Sequence, residues 1–259
     1  MPAALEELLE VAEAAARTAA AVLVERFGGP RVQVRAKSTP TDLVSEADLA
    51  AERALREAIA VRRPDDAVLG EEGGDRAGAS GLRWVVDPLD GTVNFLFGIP
   101  HWCVSVACED LEGTLVGVVH DPLRGETFAA RRDGPPTLDG EPVEGSRREE
   151  LSTAMVATGF AYDAEVRAVQ ARVAAELLPR VRDLRRLGSA ALDLAWTAAG
   201  RYDAYYERGL NPWDRAAGAL LCERAGLARR ELAPAGVLPD GLLVAPPALL
   251  EPLAALVDP

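Results

Sequence analysis

The sequence predicts two joined halves, an α+β half followed by an α/β half, and two observations carry this prediction. In the first half, two segments with helical periodicity precede a group of strand-like segments separated by tight turns. In the second half, strand-like and helical segments alternate. The stretch 133–150 is rich in glycine, proline and charge, so we place the boundary there, which gives halves of 1–145 and 146–259.

The first half begins with a helix over 5–27, where apolar residues recur at helical spacing, and the Gly-Gly-Pro of 28–30 is expected to end it. A second helix is predicted from about Ser45 to Val61. Five strands are then predicted from apolar, β-branched segments: AVLGEE (67–72), LRWVVDP (82–88), HWCVSVACED (101–110), GTLVGVVHDP (113–122) and ETFAARR (126–132).

The second half alternates between the two kinds of element. Its predicted strands are STAMVATGF (152–160), VRDLRRL (181–187), RYDAYYE (201–207) and GLLVA (241–245). Its predicted helices are 163–178, SAALDLAWTAAG (189–200), PWDRAAGALLCERAG (212–226) and PALLEPLAALV (247–257).

Composition excludes several classes of protein. A net charge of -13 argues against a general nucleic-acid or anionic-membrane surface. No apolar stretch is long enough to span a bilayer, and the acidic N-terminal segment does not resemble a signal peptide, so we expect a cytoplasmic protein. The cysteines are odd in number and lack metal-ligand spacing, so Cys103, Cys108 and Cys222 are expected to be buried reduced thiols.

Acidic residues follow two of the predicted strands. Glu71 comes after AVLG, and by itself it is better explained as part of a solvated loop. Asp87 and Asp90 flank a Pro-Leu turn at the end of a strand that is expected to be buried. A turn in which aspartate binds its own backbone and a site for a cation explain this pair equally well.

Two further aspartates lie at helix starts. Asn211 is suited to the N-cap and Pro212 to the first helical position, which puts Asp214 in the first turn. By itself, Asp214 is better explained as part of a capping box. Asp48 has the same ambiguity, because it lies three residues after Ser45.

Taken together, the acids indicate a metal site. If Glu71, Asp87, Asp90 and Asp214 converge, four carboxylates share one pocket and repel one another unless cations neutralise them. A set of oxygen ligands without histidine suits Mg²⁺ or Mn²⁺ and not Zn²⁺. The carbonyl of Leu89, in the turn between the two aspartates, can add a further oxygen.

Three segments stand out in order: GEE (70–72), DPLDGTVNF (87–95) and WDRAAG (213–218). They resemble the fingerprints of the inositol monophosphatase family of Mg²⁺-dependent, lithium-sensitive phosphatases. KSTPTDLVSEAD (37–48) and GRYDAYYERG (200–209) also resemble family segments, and the similarity extends from the first helix to about Gly226. The chain departs from the family at Phe97, where histidine is common, and after the last fingerprint.

The resemblance implies a set of site residues. Glu71, Asp87 and the Leu89 carbonyl would hold one metal, and Asp87, Asp90 and Asp214 a second, with two or three Mg²⁺ per site and Mn²⁺ as an alternative. The backbone amides of Gly91 and Thr92 would bind the phosphate, while Glu207 and the segment of Ser189 and Ala190 would face the alcohol. The implied catalytic residues are Thr92, Asp48 and Glu71; the implied substrate-binding residues are Asp90, Gly91, Thr92, Ser189, Ala190, Glu207 and Asp214.

The resemblance also implies a fold and an activity. The fold is a layered αβαβα sandwich, of the type found in inositol monophosphatase and fructose-1,6-bisphosphatase, usually as a homodimer. The activity is hydrolysis of inositol 1-phosphate or a similar polyol or sugar phosphate. Fructose-1,6-bisphosphatase, histidinol phosphatase and a non-catalytic interaction protein are the alternatives. His101 and His120 flank strands and are expected to be structural.

Overall fold

The computed structural model describes residues 2–28, 35–36, 43–44 and 46–258. The predicted helix stop at residues 29 and 30 and the possible helix cap at Ser45 lie outside these residues, as does most of the family-like segment 37–48. The helices in the described ranges are α1 (Pro2–Val24), α2 (Glu46–Arg62), α3 (Thr92–Phe97), α4 (Ala164–Leu177), α5 (Ala190–Ala198), α6 (Pro212–Arg224) and α7 (Pro247–Val257).

The strands form two larger sheets and one short pair, β1 with β2. Their bounds are β1 (Arg35–Ala36), β2 (Leu43–Val44), β3 (Ala67–Gly70), β4 (Gly74–Arg76), β5 (Arg83–Asp90), β6 (Cys103–Asp110), β7 (Gly113–Asp121), β8 (Glu126–Arg131), β9 (Thr137–Leu138), β10 (Glu141–Pro142), β11 (Met155–Thr158), β12 (Asp183–Arg185), β13 (Ala204–Arg208), β14 (Ala228–Leu232) and β15 (Gly241–Ala245).

The eight-stranded sheet has the order β10-β9-β8-β7-β6-β5-β3-β4. Neighbours in this sheet are antiparallel except β3 and β5, which run parallel with Gly70 opposite Val86. The carboxyl ends of these two strands therefore meet at one edge of the sheet. This pairing brings the turn after Gly70 beside the end of β5.

The five-stranded sheet has the order β12-β11-β13-β15-β14. Strand β11 pairs in parallel with β12 and β13, and β15 runs antiparallel to both β13 and β14. Parallel pairing requires crossover connections, and the predicted strand-helix alternation supplies them.

Helices cover the sheets in layers. Helices α1 and α2 pack on one face of the eight-stranded sheet, α5 and α6 lie between the two sheets, and α4 and α7 cover the far face of the five-stranded sheet. Alternate residues of β5 serve two cores, because Trp84 and Val86 pack toward α1 and α2 while Val85 packs toward α5 and α6. The layered αβαβα sandwich predicted from the resemblance is thus confirmed.

Most predicted elements are confirmed to within a few residues, and the omissions are short. The prediction missed the two-residue strands β1, β2, β9 and β10, the three-residue strand β4, and β14, where the segment ARREL pairs with β15. These strands are either two or three residues long or, in β14, rich in charge, so they lack the apolar alternation on which strand prediction depends. Cys103, Cys108 and Cys222 are buried free thiols, as predicted. No helix in the described part of the chain has the length and apolar character needed to cross a bilayer.

Candidate active site

Asp87 and Asp90 are brought to one pocket by a β-bulge. Against β6, Asp87 pairs with Ser105 and Asp90 pairs with Cys103, so three steps along β5 match two steps along β6. In a regular strand, residues three apart point to opposite faces, but the extra residue puts both aspartates on the same face. The bulge also leaves the Leu89 carbonyl outside the ladder, where it lies 3.1 Å from the hydroxyl of Thr92. The turn at the end of β5 therefore forms part of the pocket itself.

Gly91 allows the chain to turn directly into α3. Its φ of 100° is in the left-handed region, and a Cβ there would lie 3.0 Å from the carbonyl oxygen of His101 and 3.1 Å from the Cβ of Trp102. Behind this turn, Phe95 packs edge-on against Trp102 with ring centroids 5.2 Å apart. The backbone that precedes Thr92 is thus held from behind.

The hydroxyl of Thr92 contacts two acceptors. Thr92 Oγ1 lies 3.1 Å from Asp48 Oδ1 on α2 and 3.1 Å from the carbonyl oxygen of Leu89. A hydroxyl has one proton, so it donates to only one of these acceptors at a time. Asp48 is fully buried, as Thr92 nearly is.

Asp90 is held by the start of α5. Its Oδ2 accepts hydrogen bonds from Ser189 Oγ at 2.6 Å and from the Ala191 backbone amide at 2.7 Å. Ser189 is almost fully buried and serves Asp90, whereas the neighbouring Ala190 lines the pocket. The two residues of this predicted substrate segment thus occupy different positions.

Asp214 lies in the first turn of α6, and the capping box predicted for it is confirmed. Its Oδ2 accepts the Asn211 backbone amide at 2.6 Å, and the side chain also lines the pocket. The small residues after it permit close packing, since a Cβ at Gly218 would lie 2.5 Å from the Cβ of Leu194 on α5. The Ala-Ala-Gly of the fingerprint therefore lets α6 seat deeply and fixes the position of Asp214.

Glu71 lies in the turn after β3, and a buried carboxylate supports that turn. Glu52 on α2 accepts the backbone amides of Glu72 at 2.7 Å and Gly73 at 2.8 Å, and Arg56 Nε donates to it at 2.6 Å. A Cβ at Gly73 would lie 2.6 Å from Glu52 Oε1. Sequence reasoning missed Glu52, although an acid on the apolar side of a predicted helix was an available signal.

These residues line one pocket with a volume of about 480 Å³. Ser189 does not line this pocket, and Asp48 lies behind Thr92. All the other residues predicted to hold metal or substrate do line it: Glu71, Asp87, Leu89, Asp90, Gly91, Thr92, Ala190, Glu207 and Asp214. Glu207 stands on β13, and its Oε2 accepts the Tyr205 hydroxyl at 2.7 Å. A Cβ at Gly159 would lie 2.0 Å from the Glu207 carboxylate, so this glycine makes room for it.

Arg186 is a second residue that sequence reasoning missed. It lines the same pocket, and it makes no hydrogen bond or ion pair with any described residue. The other arginine in the pocket wall, Arg208, is engaged by the carbonyls of Ala233 and Pro239 and by Asp258. Of the two arginines among the described residues of the pocket wall, Arg186 is therefore the one whose guanidinium remains able to bind an anionic group.

The pocket carries an excess of buried negative charge. Burial, followed by the charges of Glu71, Asp90 and Asp214, raises the pKa of Asp87 well above its usual value. Burial and then the charge of Asp90 do the same to the pKa of Asp214. Burial also raises the pKa of Asp90, although the hydrogen bonds from Ser189 and Ala191 oppose it. A bound cation would relieve these penalties.

The donor set fits a hard divalent cation. Among the described residues, no three acidic, cysteine or histidine side chains are grouped so that they could hold one metal ion by themselves. Magnesium does not need such a group, because it commonly takes one or two carboxylates and completes its shell with water and substrate phosphate. All-oxygen donors, a carbonyl outside the ladder and carboxylates that repel one another meet that requirement.

Comparisons with known proteins agree with the fold. Residues 4–257 match the inositol monophosphatase family model. The chain is 44% identical over 240 residues to inositol-1-monophosphatase SuhB of Mycobacterium tuberculosis, covering 87% of this chain and 83% of that one. It is 38% identical over 224 residues to Nus factor SuhB of Escherichia coli, covering 86% and 84%. The solved structure of the extragenic suppressor protein suhB from Bartonella henselae has a TM-score of 0.90 and 31% identity, covering 97% and 98%.

The layered fold and these relatives define a hydrolase of phosphoric monoesters. Glu71, Asp87, Asp90 and Asp214, which carry the family fingerprints, line a single pocket. The chain belongs to the inositol monophosphatase family.

Proposed function

We infer that the protein is a Mg²⁺-dependent phosphomonoesterase that hydrolyses inositol 1-phosphate or a similar polyol or sugar phosphate. One observation carries this proposal: the bulge turns Asp87 and Asp90 into the pocket beside the hydrogen bond between Thr92 and Asp48. The 44% identity to an inositol-1-monophosphatase supports the substrate class.

Thr92 would orient the attacking water. When its hydroxyl donates to Asp48, the lone pairs of Oγ1 remain able to accept a hydrogen bond from water. That bond fixes one O–H of the water and turns a water lone pair toward phosphorus. Threonine cannot act as a base at neutral pH, so it contributes orientation, while Glu71 would bind the same water from the turn after β3.

The phosphate would lie against the backbone amides of Gly91 and Thr92. Gly91 presents no side chain, so the ester can approach the main chain closely. Glu71, Asp87 and the Leu89 carbonyl would hold one cation. Asp87, Asp90 and Asp214 would draw together around another, since their carboxylates are not grouped closely enough to hold one as they stand. When bound, such cations neutralise phosphate charge and make water more acidic. The hydrogen bonds of Ser189 and Ala191 would keep Asp90 in the required orientation.

The alcohol part of the substrate would face Glu207 and Ala190. An ionised carboxylate accepts hydrogen bonds from hydroxyls and repels a second phosphate. This arrangement favours a polyol monophosphate over a sugar bisphosphate. Ser189 would act indirectly, through its hydrogen bond to Asp90.

The proposal is tested by measuring phosphate release from inositol 1-phosphate, fructose 1,6-bisphosphate, histidinol phosphate and an aryl phosphate, with and without Mg²⁺. We expect inositol 1-phosphate to be hydrolysed with the highest kcat/KM, and only with Mg²⁺. A preference for either of the other two metabolites would keep the phosphatase chemistry and reject the proposed substrate.

One relative supports a different role. The E. coli protein with 38% identity is a Nus factor by name, which suggests an interaction function. This chain lacks none of the predicted ligands, which favours catalysis. Absence of phosphate release from the whole substrate panel would instead favour a non-catalytic interaction protein. A homodimer and a cytoplasmic location belong to the same proposal, and light scattering and cell fractionation test them.

A further inference from the structure

A buried histidine and a buried aspartate face each other behind the pocket. His101 precedes β6, Asp193 lies in the first turn of α5, and they are 5% and 1% exposed. His101 Nε2 lies 3.7 Å from Asp193 Oδ1. Neither residue lines the pocket, and neither has a role in the proposed reaction.

Both side chains have unused hydrogen-bonding atoms. Among the described residues, neither ring nitrogen of His101 nor Oδ1 of Asp193 has a hydrogen-bond partner. A separation of 3.7 Å is longer than a hydrogen bond, but leaving these buried atoms unpaired is costly, and a small approach would satisfy both. His101 Nε2 and Asp193 Oδ1 can therefore satisfy each other.

The pair is best described as neutral. Burial, followed by the charge of Arg124, lowers the pKa of His101 to about 4. Burial, followed by the charge of Asp90, raises the pKa of Asp193 well above its usual value. Both shifts favour the uncharged forms, and a neutral carboxyl and a neutral imidazole can form one hydrogen bond between them.

The pair connects two parts of the site. The His101 carbonyl accepts Asn94 Nδ2 at 2.7 Å, and it lies 3.0 Å from the position that a Cβ would take at Gly91. Asp193 belongs to α5, whose first residues bind Asp90. A link between the two side chains therefore spans from the back of the Gly91 turn to the helix that orients Asp90.

We propose that His101 and Asp193 form a buried hydrogen-bonded pair whose function is to position Asp90 relative to Gly91 and Thr92. Both are positioning residues, since neither touches the substrate. The catalytic consequence rests on the proposed function, whereas the existence of the pair does not.

The rival role is stability alone, and a double substitution separates the two. His101→Phe or Asp193→Leu alone leaves one buried polar partner unpaired, and each should lower the Tm. The double variant His101→Phe/Asp193→Leu removes both partners and should recover much of that loss. If the pair positions the site, the double variant should still lose about 10- to 100-fold in kcat with little change in KM.

Two further variants complete the test. His101→Gln/Asp193→Asn retains a hydrogen-bonding pair and should recover kcat. His120→Gln is the matched control, because the only other histidine of the chain binds Thr127 at 3.0 Å and does not line the pocket. It should keep the wild-type kcat. A double variant His101→Phe/Asp193→Leu with wild-type kcat and KM would overturn the positioning role.

The pair itself is tested without substrate. In the His120→Gln background, the remaining imidazole ¹⁵N signals come from His101, and adding Asp193→Leu should move the Nε2 signal. An unchanged Nε2 signal would overturn the pair, whatever the enzyme hydrolyses. A moved signal in a protein that releases no phosphate would uphold the pair and reject the proposed function.

Discussion

Thr92 Oγ1 lies 3.1 Å from Asp48 Oδ1, although the two residues are 44 positions apart in the chain. We expect Asp48→Asn and Thr92→Ala each to lower kcat by roughly 10²- to 10⁴-fold with little change in KM, because water orientation matters mainly in the transition state. The double variant should be little worse than either single variant. Steady-state kinetics on inositol 1-phosphate measure this.

The control is Glu46→Gln, which changes the other acid in the first turn of α2. If Asp48 were only a helix cap, its loss would cost about 1 kcal/mol of stability and leave turnover intact. Asp48→Asn with a lower Tm and the wild-type kcat would therefore reject the orienting role.

Removal of divalent metal should abolish activity, and Mg²⁺ should restore it. Asp87→Asn and Asp214→Asn should each remove nearly all turnover while the fold remains, because each takes one charge from the buried cluster. Asp133→Asn, at an exposed aspartate paired with Arg131, serves as the control. By analogy with the family, we expect lithium to inhibit the enzyme. Ca²⁺ should also inhibit, because it is larger than Mg²⁺. Full activity in excess chelator would contradict the metal requirement.

Glu207 should discriminate between substrates. Glu207→Gln should weaken kcat/KM for inositol 1-phosphate more than for an aryl phosphate without hydroxyls, since only the polyol donates to the carboxylate. Gly159→Ala should also lower kcat/KM more for inositol 1-phosphate than for the aryl phosphate, because the added methyl overlaps the Glu207 carboxylate. Equal losses on both substrates would identify Glu207 as structural.

The stability of the protein should also depend on pH through Glu207. Burial is the largest cause that raises its pKa from 4.5 to about 7, so the folded state holds this proton more tightly than the unfolded chain. The resulting stability is present below the unfolded pKa and is lost as the pH rises through about 7. Gln cannot ionise, so the Tm of Glu207→Gln relative to wild type should increase between about pH 5 and pH 8 in metal-free buffer. If the difference in Tm between Glu207→Gln and wild type did not change with pH, the pKa of Glu207 would not be raised.

Glu52 should affect both stability and activity from outside the pocket. Its carboxylate accepts two backbone amides of the turn that carries Glu71. Glu52→Gln turns an amide group toward these donors and should cost about 1.5–3 kcal/mol in the free energy of unfolding. Kcat should also fall as the turn loosens. Glu57→Gln, on the exposed side of the same helix, should change neither the free energy of unfolding nor kcat. Denaturant unfolding and steady-state kinetics measure the two effects.

The sequence predicts the layers of this fold better than it predicts the residues that hold the site residues in place. Long apolar periods identify most helices and strands, and the fingerprints single out Asp87, Asp90 and Asp214 as site residues. The roles of Glu52 and Gly159 depend on which distant backbone or side chain they face, and no local pattern encodes that. The contact between His101 and Asp193 is hidden for the same reason, since it joins a loop to a helix 92 positions later.

The shared layer of α5 and α6 has a consequence for cooperativity. It supplies the inner core of both sheets, and it carries Asp214 and the partners of Asp90. Melting either sheet would remove one of the two surfaces against which this layer packs, and it would release those residues. We therefore expect no partly folded form with an assembled pocket, so that catalytic activity in this protein reports the integrity of the whole molecule.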